Sequence, residues 1–456
     1  MKFNPVLRAA GLLAPLMFCT QAGATNGYFS HGIGTHNKAQ AGAGSAAPTM
    51  SIDIANNPAA AALVDPRWDV GLSIFSPRRS YETGESDLNG QNFSFTIGPN
   101  DLDSENEWFP IPYAAKVWKL DNDQALGFAF YGRGGMNTEW RRGTATGFNL
   151  ATGSIDTLPG TFASGTAGVD LMQAFIELAW AGTIGDLHWG ITPMLAVQAF
   201  EARGLGYMEP FTETFAKSSG AKPANNLTNN GHEYSWGYGL KLGGIWQVSD
   251  TVSLALSYQT QLEMTEFDDY ADLFPEQGDF DIPAFTRAGI SWRPSDNLGF
   301  HFDVEHTQFS DVDSVGNSLK ADVLQGCPFA GVVGSPTNVC LGGDKGPGFG
   351  WDDMTIYKLG INWSMQSLPG YTFRAGYSYG EQPIPSSEMT FNILAPAVME
   401  DHFTFGVNRE RSNGHEISMA LMYAPEQTVK GPNNFDTTQQ VEFSMEQLEI
   451  EFAYSW

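Results

Sequence analysis

Residues 448–456, at the C-terminus, read LEIEFAYSW and decide the fold class of the chain. Every second residue from Leu448 to Trp456 is large and apolar, and the residues between them are acidic or small. Since alternate side chains of a strand point to opposite faces, this strand separates two environments. The apolar face meets a second sheet in a β-sandwich, or lipid in an outer-membrane barrel. The terminal aromatic also resembles the signal read by the outer-membrane assembly machinery, which we therefore expect as a partner.

The same alternation recurs at residues 252–259, 298–305, 371–380 and 417–423. The second face of these segments carries charged and small polar groups, which suits a wet lumen better than a second core. Counting such segments predicts about fourteen strands. Their predicted starts lie near residues 68, 110, 125, 170, 187, 233, 251, 284, 298, 353, 370, 401, 414 and 443.

The connections between these segments alternate in length. Those after even-numbered strands are short turns such as TIGD and VSDT, and those after odd-numbered strands are long, as at residues 136–168, 204–232, 263–283 and 310–350. Single-chain outer-membrane barrels have this arrangement, with both termini in the periplasm. The sequence therefore predicts an all-β transmembrane barrel of about 14 antiparallel strands, in the outer membrane of a Gram-negative bacterium, rather than a β-sandwich.

Composition narrows the possible partners. The formal net charge of -27 makes the chain a poor binder of nucleic acid, so no nucleic acid partner is expected. After the N-terminal segment no run of about 18 consecutive apolar residues occurs, which argues against helical membrane spans.

Residues 1–24 are predicted to be a signal peptide. Lys2 and Arg8 form its basic region, an apolar run follows, and Ala22-Gly23-Ala24 is a cleavage site of the A-x-A type. The mature chain then begins at Thr25, and a lipoprotein signal that ends at Cys19 is the alternative.

Export places the two remaining cysteines, Cys327 and Cys340, in an oxidising compartment. Both lie in the segment QGCPFAGVVGSPTNVCLGG at residues 325–343, so a local disulfide is predicted. A metal pair has less support because the segment contains no histidine.

Residues 25–66 do not alternate and are rich in Gly and Ala. In the stretch DIANNPAAAALV, at residues 53–64, Asn57 can cap a short helix, Pro58 suits its first position and Ala59 continues it. One interpretation is an ordinary surface helix. The other is a plug, because the lumen of a fourteen-stranded barrel is too wide to be filled by its own side chains. We therefore expect three parts: signal peptide 1–24, hatch 25–66 and barrel 67–456 with long extracellular loops.

Two segments resemble the FadL-type family of outer-membrane transporters for long-chain fatty acids and other hydrophobic molecules. GIGTHNKAQAGAGSAAPTMSIDIANNPAAAAL, at residues 32–63, is similar to the family's hatch, with its Asn-Pro-Ala motif at Asn57, Pro58 and Ala59. GYSYGEQPIPSSEMTFNILAPAVMEDHFTFG, at residues 376–406, is similar to its C-terminal block. The resemblance implies a monomeric, hatch-plugged barrel. Its hydrophobic small-molecule ligand is caught among loops and leaves by diffusion through a lateral opening beside a kinked third strand.

The predicted third strand contains YGRGGMNTEW, at residues 131–140. Gly132, Gly134 and Gly135 tolerate bulge dihedrals, so we expect the kink and lateral opening here. Glycines that merely relieve crowding in the lumen are the alternative.

Two loop segments carry apolar residues at helical spacing, which predicts amphipathic stretches that capture a hydrophobic ligand. The candidates are Met208, Phe211, Phe215, Phe267, Tyr270, Leu273 and Phe274. Packing of one loop on another is the alternative. If the ligand is a fatty acid, Arg133, Arg203 or Arg374 is a candidate contact for its carboxylate. Arginines in outer-membrane proteins also bind lipopolysaccharide or lumenal acids.

The sequence contains no H-E-x-x-H and no phosphate-binding loop, so we expect no catalytic residue, metal ligand or cofactor. A general porin or adhesin barrel without hydrophobic-ligand gating is the competing function. An outer-membrane lipase would need a Ser/His pair that we do not identify.

Overall fold

The computed structural model describes residues 26–121, 123–150 and 152–456. The predicted signal peptide, its cleavage site and Thr25 lie outside these residues. Fourteen antiparallel strands form one sheet, numbered here along the chain. They are β1 Trp68–Thr83, β2 Phe109–Lys119, β3 Gln124–Asn137, β4 Gly168–Ile184, β5 Leu187–Arg203, β6 Glu233–Ser249, β7 Val252–Gln259, β8 Phe285–Ser295, β9 Leu298–Thr307, β10 Met354–Ser364, β11 Tyr371–Gly380, β12 Asp401–Glu410, β13 Glu416–Asn433 and β14 Asp436–Ser455.

The sheet closes on itself. Each strand pairs with its neighbours in sequence, and β1 pairs with β14 from Asp69↔Ser455 to Thr83↔Val441. Closure removes the free strand edges that an open sheet would expose. The predicted fourteen-stranded antiparallel barrel is therefore confirmed.

The strand starts follow the sequence prediction closely, with one exception. The last strand begins at Asp436, not near residue 443, because β13 and β14 form a hairpin that extends past the other strands. Its tip is polar (Thr437, Thr438, Gln439 and Gln440), so apolar alternation does not reveal it. The hairpin also makes the connection after β13 tight, whereas the other connections after odd-numbered strands are long.

The two faces of the wall meet different surroundings. Leu448 and Phe452 on the outer face are 48% and 51% exposed, whereas Glu449 and Glu451 on the inner face are 3% and 1% exposed. The inner face is buried because residues 26–66, here called the hatch, fill this part of the lumen. Within the described part of the chain, no helix is long and apolar enough to cross a membrane.

The remaining elements are short. The helices are α1 Thr35–Lys38 and α2 Ala60–Leu63 in the hatch, and α3 Glu213–Ser218, α4 Asp313–Gly316, α5 Ala321–Leu324, α6 Cys327–Val333 and α7 Met389–Asn392 in the long loops. The 3-10 turns are Ser51–Ala55, Gln91–Phe93, Gly206–Phe211, Asp268–Tyr270 and Phe309–Asp311, and Pro275–Gly278 is a turn with left-handed residues. Strands Thr96–Ile97, Thr144–Asn149 and Ser154–Pro159 form a separate loop sheet, while Asp101–Asp103 pairs with β1 and Glu263–Met264 with β6.

Candidate functional site

The Asn-Pro-Ala segment attaches the hatch to the barrel wall. The Asn57 side-chain amide donates to the carbonyls of Gly244 at 3.1 Å and Leu256 at 3.3 Å, on β6 and β7. The Asn57 Oδ1 accepts the backbone N–H of Ala59 at 3.0 Å. One side chain thus caps the turn that leads into α2 and binds two wall strands. The helix itself is shorter than the sequence predicts.

Glycines in the wall allow the hatch backbone to approach closely. A Cβ at Gly243 would lie 2.1 Å from Asn57 Oδ1, and one at Gly190 would lie 2.4 Å from the carbonyl carbon of Pro58. A Cβ at Gly376 would lie 2.2 Å from the carbonyl carbon of Gln40. These distances are far below van der Waals contact, so at these three positions the hatch can lie this close only because the wall residue has no side chain.

Ion pairs and hydrogen bonds hold the rest of the hatch against the inner face of the wall. Lys38 lies 2.7 Å from Glu451 and also pairs with Glu449, while His36 Nε2 lies 2.7 Å from Glu416. From the wall, Lys358 donates to the backbone carbonyl of the hatch residue His31 at 3.2 Å. All these groups are buried, and a buried charge is tolerated only when it is paired. The charged inner face is therefore complementary to the hatch.

The wall is interrupted between β2 and β3. The two strands pair only from Tyr113↔Tyr131 to Lys119↔Ala125, so residues 109–112 of β2 have no partner in β3. Pro110 and Pro112 lack the N–H that a ladder needs. Beyond Tyr131, β3 pairs only with β4 in the sheet. We call this interruption the β2–β3 gap.

A bulge lies beside this gap. The β3–β4 register shifts between Gly132 and Gly134, which leaves Arg133 as the extra residue. This is the segment in which the sequence predicts a kink. The Arg133 guanidinium points into the lumen and lies 3.1 Å from Glu305 of β9, between the rings of Phe29 and Phe285.

The start of the hatch covers the gap from inside. The backbone N–H of Ser30 donates to the Arg133 carbonyl at 2.9 Å, and that of Gly135 donates to the Tyr28 carbonyl at 3.0 Å. Phe29 forms a single antiparallel bridge with Gly134. The hatch therefore replaces, over a few residues, the pairing that β2 does not provide.

A groove of about 420 Å³ opens among the long loops. Half of its lining residues are aromatic, namely Phe93, Phe95, Phe148, Tyr207, Phe211, Phe215, Phe329 and Phe435. We call it the outer groove. Aromatic side chains offer large apolar contact areas, so the groove suits a hydrophobic molecule.

Two smaller cavities lie beyond it. The middle cavity, about 40 Å³, is lined by apolar residues that include Met208, Phe274, Phe349, Phe391 and Leu394. The inner cavity, about 20 Å³, is lined by Tyr28, Phe75, Arg79, Met136, Trp351 and Met445, together with neighbouring small residues, and adjoins the β2–β3 gap.

Aromatic rings connect the three spaces. Phe435 of the outer groove lies 6.4 Å from Phe391 of the middle cavity, measured between ring centroids. Phe349 of the middle cavity lies 6.1 Å from Trp351, which lines the inner cavity and lies 5.9 Å from Tyr28 of the hatch. A series of packed aromatic side chains, here called the apolar route, therefore extends from the loops to the β2–β3 gap.

The predicted capture residues divide into three groups. Phe211 and Phe215 line the outer groove, and Met208, Leu273 and Phe274 line the middle cavity. Phe267 and Tyr270 instead pack on Phe200, with ring centroids 5.5 and 4.9 Å away, and line neither space.

The amphipathic helices expected in these loops are not formed. Apart from the short strand Glu263–Met264, residues 263–283 contain only the turn Asp268–Tyr270 and the left-handed turn Pro275–Gly278, while residues 208–215 are divided between a 3-10 turn and α3. Pro210 and the Thr212 cap interrupt the second segment. Helical spacing does not produce a helix here because Phe267, Tyr270 and Phe274 pack on Phe200 of strand β5 and not along one helix face.

The three cations predicted to contact a carboxylate have partners inside the protein. Arg133 pairs with Glu305, Arg203 lies 2.7 Å from Glu201, and Arg374 donates to the side chain of Asn408. Arg79, at the inner cavity, was not identified from the sequence. Its position in β1, next to the exposed Arg78, gives no signal of burial.

The disulfide between Cys327 and Cys340 is formed, as predicted, with the two Cα atoms 5.8 Å apart. It joins the start of α6 to the following loop. Because α6 contributes Pro328 and Phe329 to the outer groove, the disulfide restrains one wall of that groove.

Comparisons with known proteins agree with this architecture. A family model described as outer membrane protein transport protein (OMPP1/FadL/TodX) matches residues 16–447. No curated protein matches the chain. The fold is similar to that of the Pseudomonas putida toluene transporter TodX (14% identity, TM-score 0.61, covering 93% of this chain and 98% of that one).

Two further solved structures have the same fold. A Pseudomonas aeruginosa FadL homologue is 14% identical with a TM-score of 0.61 over 94% of this chain and 98% of that one. The Ralstonia pickettii toluene transporter TbuX is 14% identical with a TM-score of 0.56 over 93% and 98%. At this identity the likeness concerns the fold alone.

Proposed function

Because the chain belongs to the outer membrane protein transport protein family (OMPP1/FadL/TodX), we propose that it lets hydrophobic small molecules diffuse across the outer membrane. The substrates are long-chain fatty acids or similar compounds such as hydrocarbons. The related structures include two toluene transporters, which supports the hydrocarbon class as much as the acid class. The observation that carries the proposal is the apolar route from the outer groove to the β2–β3 gap.

The route suggests three steps. The ligand first binds in the outer groove, where Phe211 and Phe215 offer apolar surface above the barrel. It then moves past the middle cavity to Trp351 and the hatch. It leaves through the wall at the gap, beside Gly132, Gly134 and Gly135, once the bridging hatch residues 28–30 separate from β3. No step needs an energy source, since transfer of a hydrophobic ligand from water to lipid lowers its free energy.

The hatch gives the channel its selectivity in this proposal. Asn57, Pro58 and Ala59 fix it to the wall, so the open lumen of a porin is replaced by a plug with an apolar path around it. A monomer with both termini in the periplasm and the long loops among lipopolysaccharide is sufficient for this path.

The test is uptake by a Gram-negative host that lacks transporters of this class, with radiolabelled dodecanoate and toluene, paired with conductance of the purified protein in planar bilayers. We expect uptake that an uncoupler does not reduce, and low ion conductance. Deletion of residues 26–64 should raise the conductance and abolish selective uptake. If the intact chain conducts small ions freely and the deletion changes neither quantity, the protein is a general porin and the proposal is wrong.

A further inference from the structure

Helix α6 carries its large apolar side chains on its exposed face. Phe329, Val332 and Val333 lie three and four residues apart, so they share one side of the helix, and they are 48%, 72% and 68% exposed. The residues of the opposite side, Cys327 and Ala330, are small and buried. This is the reverse of an ordinary surface helix, whose apolar stripe faces the core.

Two contacts fix α6 in this orientation. The disulfide ties Cys327 to Cys340. On the same side of the helix, a Cβ at Gly331 would overlap the backbone carbonyl oxygen of Ala216, so α6 and α3 pack in direct backbone contact. A rotation of α6 that buried its valines would break both contacts. The exposure of the valines is therefore built into the loop.

The exposed face of α6 continues the edge of the outer groove. Phe329 belongs to both, since it lines the groove and is half exposed. Phe93 also lines the groove and is exposed, and its backbone carbonyl accepts a hydrogen bond from Gln325 at 3.3 Å. Val332 and Val333 line none of the three spaces described above. We call Phe93, Phe329, Val332 and Val333 the apolar rim.

The apolar rim lies beyond the part of the wall that contacts lipid. Phe435, which lines the same groove, is in the tip of the β13–β14 hairpin. At about 3.3 Å per residue, about 40 Å of strand separates it from Tyr423, the last aromatic residue of β13. Past Tyr423 the exposed residues of β13 are Glu426, Thr428 and Lys430, which are polar. The membrane around the barrel therefore does not cover the rim.

The segment that contains α6 also carries no charge. Between Asp322 and Asp344 the sequence has no Asp, Glu, Lys or Arg, although the formal net charge of the chain is -27. Because like charges repel, an acidic protein approaches a neutral or anionic lipid surface at least cost through an uncharged segment. Exposed apolar side chains gain free energy when they leave water for such a surface, and they need no specific partner group.

We propose that the apolar rim is a docking surface for the lipid-coated surface of a hydrocarbon droplet, from which the outer groove takes its ligand directly. Hydrophobic compounds are sparingly soluble as monomers, so most of their supply is in such a phase. Insertion of Val332 and Val333 into the droplet surface places Phe329, and with it the groove, at the boundary of that phase. This inference rests on the proposed transport function and names the form in which the ligand arrives.

The test measures co-flotation of the purified full-length protein, in nanodiscs, with hexadecane droplets coated with dioleoylphosphatidylcholine. Protein nanodiscs should float with the droplets, and empty nanodiscs should not. Val332→Thr together with Val333→Thr keeps the shape of both side chains and adds two hydroxyls, so it should weaken binding to the droplets at least about tenfold. The matched control is Val248→Thr, because Val248 is an exposed valine in β6 beside a short turn, and it should leave flotation unchanged.

A second measurement keeps the two proposals apart. Equilibrium dialysis against radiolabelled dodecanol, without droplets, reports binding of a dissolved ligand. The double variant should bind dodecanol like the unaltered protein, since neither valine lines the groove. If the unaltered protein binds neither dodecanol nor droplets, the transport function is wrong as well.

The other outcomes concern the docking surface alone. If the unaltered protein binds dodecanol but not droplets, or if the double variant floats like the unaltered protein, transport stands and the docking surface is wrong. Light scattering tests whether a second copy is the occupant. Nanodiscs that associate in pairs, and that the double variant separates, would make the rim an interface between copies and overturn the proposal.

Discussion

The side-chain amide of Asn57 lies 3.1 Å from the backbone carbonyl oxygen of Gly244, so the hatch is suspended from the barrel wall by a residue that also caps its own helical turn. The wall strand β6 contributes two adjacent glycines at this point, and only Gly243 faces the Asn57 side chain at close range. At this position the fit between hatch and wall depends on the Asn57 side chain and on the absence of a side chain at Gly243.

Asn57→Ala should impair hydrophobic uptake several-fold while the barrel remains assembled. The substitution removes two donated hydrogen bonds and the accepted bond from Ala59, each contributing about 1 kcal/mol net. Uptake of labelled dodecanoate or toluene and the heat-dependent mobility of the folded barrel on gels measure the two effects. Asn413→Ala, in an exposed short turn, is the control. Normal uptake by a well-assembled Asn57→Ala barrel would show that the contact does not set the path.

Gly243→Ala should displace the hatch, whereas Gly244→Ala should not. A Cβ at Gly243 meets Asn57 Oδ1 at 2.1 Å, but at Gly244 the nearest atom is the His188 carbonyl oxygen at 3.8 Å. Planar-bilayer conductance should therefore rise for the first variant only. The two positions are adjacent in the same strand, so equal conductance in both variants would contradict a steric role for Gly243.

Replacing Pro110 and Pro112 together by Val should narrow the β2–β3 gap. The change restores two N–H groups where β2 has no partner in β3, so added pairing can extend past Tyr113. If ligand leaves through the gap, release into lipid should slow while binding to the outer groove is unchanged. Dodecanoate transfer from detergent-free proteoliposomes measures release. Pro223→Val, in an exposed loop, is the control. Unchanged release by the double variant would exclude the β2–β3 gap as the exit.

Alternation predicted the barrel because the period-two pattern reports directly on the two faces of each strand. Glu449 and Glu451 had to face the lumen once Leu448 and Phe452 faced outward, and the structure places them there. The segment around Asn57 could be recognised because capping is a local interaction between residues close in sequence.

The contacts that close the lumen could not be predicted in the same way. Lys38 meets Glu449 and Glu451 across more than 400 residues, and no local pattern records which lumenal acid a hatch lysine will face. The same limit hid Arg79, whose neighbours Asn106 and Asn137 come from the loop before β2 and from the end of β3. The prediction of amphipathic stretches in the loops failed for another reason. Spacing like that of Phe267 and Tyr270 arises equally from packing on a ring that is distant in sequence, such as Phe200.

The loop between β7 and β8 should become less stable as the pH rises from about 4 to 7. Burial raises the pKa of Asp279 from its ordinary value of 3.8 to about 7, and the neighbouring Asp281 carboxylate is the second cause of this shift. The folded loop therefore binds this proton more tightly than the unfolded chain does, so the stabilisation is complete below the ordinary pKa and is lost as the pH rises through the raised one. Amide exchange in residues 263–283, corrected for its intrinsic pH dependence, measures this effect.

Asp279→Asn should remove most of that pH dependence, because the amide stays neutral throughout. Asp269→Asn, at an exposed position of the same loop, is the matched control and should retain it. A loop whose corrected exchange is constant from pH 4 to 8 in the unaltered protein would contradict the assignment to Asp279.

Glu305→Gln should destabilise the junction between the hatch, the bulge and the opposite wall. Glu305 lies 3.1 Å from Arg133 and 3.1 Å from Lys358 and also pairs with Arg287, all buried, so its loss leaves three cations around one neutral amide. Removing one partner of a buried ion pair costs about 3–5 kcal/mol. We expect a lower unfolding temperature in detergent and faster amide exchange at residues 26–30 and 132–137, since Arg133 is the bulged residue beside the β2–β3 gap.

Glu442→Gln is the control, because its pair with Lys430 is exposed and such pairs contribute about 0–1 kcal/mol. If exchange at the bulge and the first hatch residues is unchanged while the barrel is destabilised, Glu305 supports the wall alone and does not hold the gap closed.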